Sequence, residues 1–302
     1  MTATPESESA RLMRVATWAS VATASFLIVI KLVAWGATGS MAVLSTLIDS
    51  VLDAAASVVN LLAVRHALQP ADREHRFGHG KAEPLAGLGQ AAFIAGSGLF
   101  LVIEATQRIA HPEPIERGWL GIGVMIVSII LTMLLVRFQR QVVARTDSVA
   151  IGADSLHYAG DVLINLSVIV SLGLAMTLGW HFADPIFAVA IAAYLVWNAW
   201  AIAQDSLNLL MDREFSDEDR KRIEAVCLAH PKVRSIHDLR TRSSGQQRFI
   251  QLHLELDAEI SLRDAHDISD EVERDIREAF PHAEVIIHED PAGLREGHRE
   301  FE

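Results

Sequence analysis

The chain has 302 residues, 51% of them hydrophobic and 21% charged, with a formal net charge of −12 and a mean hydropathy of +0.27. That balance is too apolar for an ordinary soluble domain, and its acidity argues against a nucleic-acid partner. Cys227 is the only cysteine, which excludes intrachain disulfides and thiolate cages, so a bound metal must be held by imidazole and carboxylate.

Met1–Ala10 is polar and lacks the basic start of a cleavable leader, so no signal peptide is expected. Apolar runs follow near 12–36, 40–64, 83–109, 117–138, 148–178 and 183–209, each long enough to cross a hydrocarbon core of about 30 Å. Arg11, Arg14, Arg65, Arg73, Arg76, Lys81, Arg137, Arg140 and Arg145 fall on one side of these spans; Arg108 and Arg117 flank the other. This asymmetry predicts a cytoplasmic N-terminus, cytoplasmic loops at 65–82 and 139–147, and a cytoplasmic tail domain. Gly87, Gly89, Gly96 and Gly98 in the third span read as close helix packing.

From Ser216 the composition turns soluble and acidic. Ser216 is placed to cap a helix with an Ile223/Val226/Cys227 stripe that ends before Pro231. Val233–Arg242 and Arg248–Asp257 read as strands around Ser243–Gln246. In the second, Ile250, Leu252, Leu254 and Leu256 take one face, while Phe249, Gln251, His253 and Glu255 take the other. Leu262–Phe280 is an amphipathic helix and Glu284–His288 a last short strand. The predicted fold is a six-transmembrane-helix bundle followed by a small α+β domain of order αββαβ, with helices on one sheet face. Its boundaries are 1–11 for an N-terminal tail, 12–214 for the bundle, 215–291 for the cytoplasmic domain and 292–302 for a C-terminal tail.

Two polar pairs stand inside apolar runs, Asp49/Asp53 and His157/Asp161. Residues at i and i+4 share a helix face, so each pair aims two ligating groups at one point. A carboxylate at the centre of a membrane helix costs roughly 2.5–3.5 kcal/mol on insertion scales, and a divalent cation would offset it. Three carboxylates and one imidazole fit tetrahedral zinc; ferrous iron, manganese and cadmium take similar ligands. The alternative is pairing with buried amides or with Lys31, the one basic residue well inside a span. Asp154, one turn before His157, reads as an outer partner or a cavity-wetting group. In the loop after the second span, Asp72, His75 and His79 are placed either to share a metal or to form a solvated charged loop. In the tail domain, His237, His253, His266, His288 and Asp290 are either scattered surface groups or a face holding a pair of metals. His66, His111, His181, His230, His282 and His298 show no such convergence along the sequence and read as surface or interface residues. No His-Glu-x-x-His pattern occurs, so an intramembrane metalloenzyme is not expected.

Together, Asp49-x3-Asp53, the loop His75-Arg-Phe-Gly-His79-Gly-Lys81, His157-x3-Asp161 and the αββαβ tail resemble the cation diffusion facilitator family over Leu12 to Pro291. The likeness is greatest to bacterial zinc and ferrous-iron efflux pumps. It implies a multi-pass homodimer in the lipid bilayer of the cell inner membrane, with both termini cytoplasmic, exporting divalent metal in exchange for protons. Asp49, Asp53, His157 and Asp161 match the family's transport site, and Asp72, His75 and His79 its loop site. His237, His253, His266, His288 and Asp290 match its cytoplasmic binuclear site, with Glu289 where the family often has glutamine. Lys81 and Asp212 match an inter-subunit salt bridge at the dimer interface. Zn2+, Fe2+ or Cd2+ would be both substrate and regulatory ligand, and no organic cofactor or nucleic acid is implied. A non-transporting metal receptor is the alternative.

Overall fold

The computed structural model of the chain describes residues 8–39, 41–110, 119–178 and 183–293. It divides into two compact units between Leu207 and Asn208.

The first unit is built from long helices: α1 (Glu8–Thr38), α2 (Met41–Ala67), α3 (Ala82–Ala110), α4 (Trp119–Thr146), α5 (Val149–Leu178) and α6 (Ala183–Leu210). At 1.5 Å per residue the shortest, with 27 residues, is about 40 Å long and exceeds a bilayer core. Among the described residues, five helices are long and apolar enough to span: α1, α2, α3, α4 and α6. The sixth, α5, is as long, with 30 residues, but carries Asp154, His157 and Asp161. It packs against α1, α2, α3 and α4, so its polar groups face protein. Trp18, Val33, Val59, Phe100 and Trp197 are exposed on the outside, a surface that suits lipid and would be a liability in water.

Polar contacts inside the bundle fix its register, as expected where lipid gives helices no hydrophobic reason to associate. Ser57 on α2 meets the Tyr158 hydroxyl on α5 at 2.7 Å, and Asn60 donates to the Ala150 carbonyl at 3.4 Å. Asp154 accepts from Ser20 of α1 and Gln139 of α4, both at 2.6 Å. The buried Glu83 carboxylate accepts from Ser148 and from the backbone of Val149 and Ala150, capping α5. The third-span glycines divide. A Cβ on Gly87 would stand 2.7 Å from Ser206 Oγ and 2.9 Å from Val149 Cγ1, and one on Gly98 would stand 3.1 Å from Val196 Cγ2, whereas Gly89 and Gly96 meet nothing within 4 Å. Close packing therefore accounts for Gly87 and Gly98 only.

One expected boundary is corrected. The 139–147 segment, read as a loop because its charges end the apolar run, is helical as far as Thr146. Arg and Gln are good helix formers, and Gln139 is fully buried on Ser20 and Asp154. Only Asp147, at φ 50, and Ser148 separate α4 from α5.

The second unit comprises α7 (Asp217–Ala229), β1 (Ser235–Ser244), β2 (Gln247–Leu256), α8 (Leu262–Ala279) and β3 (Ala283–Pro291). Ser216 and Ser261 cap the two helices by accepting from Asp219 N and Asp264 N. Strand order is β1-β2-β3, with β1 antiparallel and β3 parallel to β2. The parallel step is made through α8, as such a crossover requires. Ile250, Leu252, Leu254 and Leu256 join Ile223, Cys227, Ile268, Val272 and Ile276 in one core. Both helices thus cover the leucine face, and the His253 face is left for chemistry.

Candidate metal centres

In the bundle, the Ser57–Tyr158 contact seats α2 and α5 one turn from the chemistry. Asp53, His157 and Asp161 then each place a ligand atom within 4.8 Å of the other two. His157 Nε2 lies 3.1 Å from Asp53 Oδ1 and 3.9 Å from Asp161 Oδ2. The imidazole, 6% exposed, is wedged by Phe93 of α3 at 5.3 Å between ring centroids. Asp49 sits one turn before Asp53 on the same face of α2 and is not one of the three convergent ligands. Lys31 donates to the Thr46 carbonyl at 3.0 Å and to Ser50 Oγ at 2.6 Å, and lies within electrostatic reach of Asp49, Asp53 and Asp161. Asp154 is held by Ser20 and Gln139 instead and stays outside the convergent set.

The loop after α2 is a chain of hydrogen-bonded turns. Asp72 Oδ1 accepts from Glu74 N at 2.8 Å and His75 N at 2.7 Å, Gly78 N donates to the His75 carbonyl at 3.0 Å, and Gly78 supplies the positive φ of 75°. The backbone donor of His75 above all holds the Asp72 carboxyl below its ordinary range. Asp72 Oδ2 faces His79 Nε2 at 3.4 Å, and Asp72, His75 and His79 form a second convergent set.

In the small domain, strand register does the assembling. His237 pairs with His253 across the antiparallel ladder and His253 with His288 across the parallel one, so one row of imidazoles crosses the whole sheet. The Asp290 carboxylate, 6% exposed, serves that row from both oxygens: Oδ2 lies 2.8 Å from His253 Nδ1 and 3.2 Å from His237 Nε2, and Oδ1 lies 3.3 Å from His288 Nε2. A carboxylate facing imidazoles on both sides is suited to bridging two cations. His266 is not brought to this row: it sits on α8, largely exposed, 3.7 Å from Asp270, on the helix that covers the opposite, leucine face. Glu289 alternates with His288 and Asp290 and so points to the other side of the sheet. Asp212 receives Arg242 Nη1 at 3.5 Å within the same unit, while Lys81 belongs to the bundle. His230 lies 3.1 Å from Glu271; His111, His181 and His298 fall outside the described residues.

His66 was missed. Its ring lies 4.7 Å from that of His79, a proximity created by the turn between α2 and α3 and without a fixed spacing to betray it.

A cation efflux transmembrane domain family model matches residues 17–211 and a cation efflux protein cytoplasmic domain model matches 215–292. The chain belongs to the cation efflux, or cation diffusion facilitator, family and is a multi-pass membrane transporter, not an enzyme. It is 47% identical over 284 residues to the cation-efflux pump FieF of Klebsiella pneumoniae, covering 94% of each chain. It is also 47% identical over 294 residues to that of Salmonella choleraesuis, covering 97% of each. The solved structure titled "Mode of Action of a Putative Zinc Transporter CzrB (Zn form)" is 32% identical, covers 28% of this chain and 98% of its own, and has a TM-score of 0.27. That likeness spans so little of the chain that the fold assignment rests on the family models.

Proposed function

We propose that this chain exports divalent metal cations from the cytoplasm across the inner membrane in exchange for protons. Zinc is the foremost substrate, with ferrous iron and cadmium next. Transport runs by alternating access around Asp53, His157 and Asp161, with Asp49 closing the fourth position, in a homodimer braced at Lys81 and Asp212. The observation that carries this reading is the convergence of two carboxylates and an imidazole from two helices inside a lipid-facing bundle. The efflux-pump names of the FieF relatives support the direction, and the dimer-domain family match supports the homodimer.

The coupling follows from ligand chemistry. Metal binds carboxylate and neutral imidazole, so metal and protons compete for the same lone pairs. A site open to a near-neutral cytoplasm takes metal and sheds protons; a site open to a more acidic medium protonates and releases it. His157 is the natural proton carrier, because its ring nitrogen offers one lone pair that either the metal or a proton can hold. Moving two positive charges outward against 100 mV costs about 4.6 kcal/mol, and each entering proton returns about 2.3. Two protons per metal make the exchange electroneutral; one leaves it dependent on a pH or metal gradient.

The small domain acts as a cytoplasmic metal sensor in this scheme. Metal in the His237/His253/His288/Asp290 row would stabilise one arrangement of the dimer and shift the transport equilibrium by its differential affinity. The deciding experiment follows metal and proton movement in sealed proteoliposomes. Export predicts opposed fluxes, whereas a receptor binds metal and moves none. A His253→Ala/His288→Ala variant with unaltered metal dependence would remove the sensor role.

A further inference from the structure

The loop centre has three convergent ligands, Asp72, His75 and His79, whereas a closed zinc site takes four. Asp72 faces the set through both oxygens, Oδ1 3.6 Å from His75 Nδ1 and Oδ2 3.4 Å from His79 Nε2, and Oδ1 also accepts from two backbone donors. His66, exposed in the last turn of α2, stands next to His79. The two rings are 4.7 Å apart and inclined at 66°, while His75 stands 4.6 Å from His79. Imidazoles sharing one tetrahedral ion place their centroids about 5 Å apart, given metal–nitrogen bonds of about 2.0–2.1 Å. The imidazole row of the small domain gives the same measure, 5.0 Å for His237–His253 and 4.7 Å for His253–His288.

Ring packing by itself would also bring two histidines together. Here the ring so approached is the buried member of a ligand set, its side chain 4% exposed and its Nε2 facing Asp72 Oδ2 at 3.4 Å.

We propose that His66 is the fourth ligand of the loop centre, which then holds one divalent cation between three imidazoles and one carboxylate. His66 stands outside the convergent set in this structure and turns its ring toward it when the cation binds. This rests on reading Asp72, His75 and His79 as a metal centre. A four-ligand site has no open position, which is the mark of a structural ion and not of one in transit. The cation therefore staples the end of α2, which carries Asp49 and Asp53, to the start of α3.

The test uses the full chain in lipid nanodiscs with the other centres silenced by Asp53→Ala, His157→Ala, His253→Ala and His288→Ala. Zinc titration by calorimetry and zinc X-ray absorption are the readouts. The background protein should bind one zinc per chain with three imidazoles. Adding His66→Phe, which keeps ring volume, or His66→Gln, which keeps polarity, should lower the count to two. Either should weaken binding at least roughly tenfold, the low end of what losing a mere outer partner costs a ligand set. Two imidazoles in the background protein, with affinity indifferent to His66, overturn the proposal and leave the Asp72/His75/His79 centre standing. No zinc bound by the background protein overturns that centre and the proposal together.

Discussion

Asp53→Asn keeps the size of the side chain and removes one charge, so it isolates the electrostatic part of the membrane centre. Ligands around a tetrahedral ion with bonds of about 2.0–2.2 Å stand about 3.4 Å from one another. His157 Nε2 is 3.1 Å from Asp53 and 3.9 Å from Asp161. Both edges lie within about half an ångström of that tetrahedral edge, so the trio is arranged for an ion and little of the binding energy goes into rearrangement. Asp53 then contributes its charge at bonding distance, in a place where water screens little. Removing one partner of such a buried pair costs about 3–5 kcal/mol, which at 1.4 kcal/mol per decade is roughly 140- to 3,700-fold in affinity. The assay is zinc uptake into proteoliposomes carrying a zinc-sensitive dye and a pH dye, measured against zinc concentration. The half-saturating concentration should rise at least roughly a hundredfold, with proton flux falling in step. A variant with the native concentration dependence would refute the membrane centre as the transport site.

Other expectations follow from single features. Asp49→His exchanges an oxygen for a nitrogen donor and should raise the preference for zinc over cadmium and ferrous iron in vesicle transport; equal rates for all three before the change and after it would count against Asp49 as a ligand. Gly87→Ala and Gly89→Ala share a helix-propensity gain of about 1 kcal/mol, but only Gly87 has neighbours at 2.7 and 2.9 Å. It should be the less stable variant by about 1–3 kcal/mol in a thermal or detergent unfolding series, and equal stabilities would contradict the close contact. Asp290→Asn should weaken metal binding in the small domain while Glu289→Gln leaves it unchanged, because alternation turns Glu289 away; a zinc titration of the two variants decides. Burial pushes the Cys227 thiol up to about 12, so its reactive thiolate is essentially absent at pH 8. Maleimide should label the folded protein far more slowly than the unfolded chain, and rapid native labelling would mean that the small domain's core is open.

Much of this was legible because helix and strand periods are local. The i,i+4 pairs at Asp49/Asp53 and His157/Asp161 share faces on any α-helix, and the alternation of β2 separates His253 from the leucines without tertiary information. The charge pattern located the spans but misjudged the end of α4. It treated Gln139 as solvent-facing, although that side chain is buried against Ser20 and Asp154 from two other helices. His266 and His66 mark the same boundary. Neither shares a helix or strand with the ligands it was or was not grouped with, and only the packing face of α8 and the turn between α2 and α3 decide its company.

The sequence by itself therefore determined the membrane bundle, the acidic α+β tail and the ligand types available, because composition and periodicity act within a few residues. Tertiary structure decided which ligands meet. The Ser57–Tyr158 contact sets Asp53 opposite His157, the parallel pairing of β2 with β3 completes the imidazole row, and a turn carries His66 to His79. A metal centre needs donor atoms from separate elements within a few ångströms, and that distance is fixed by packing between elements, which no local pattern encodes.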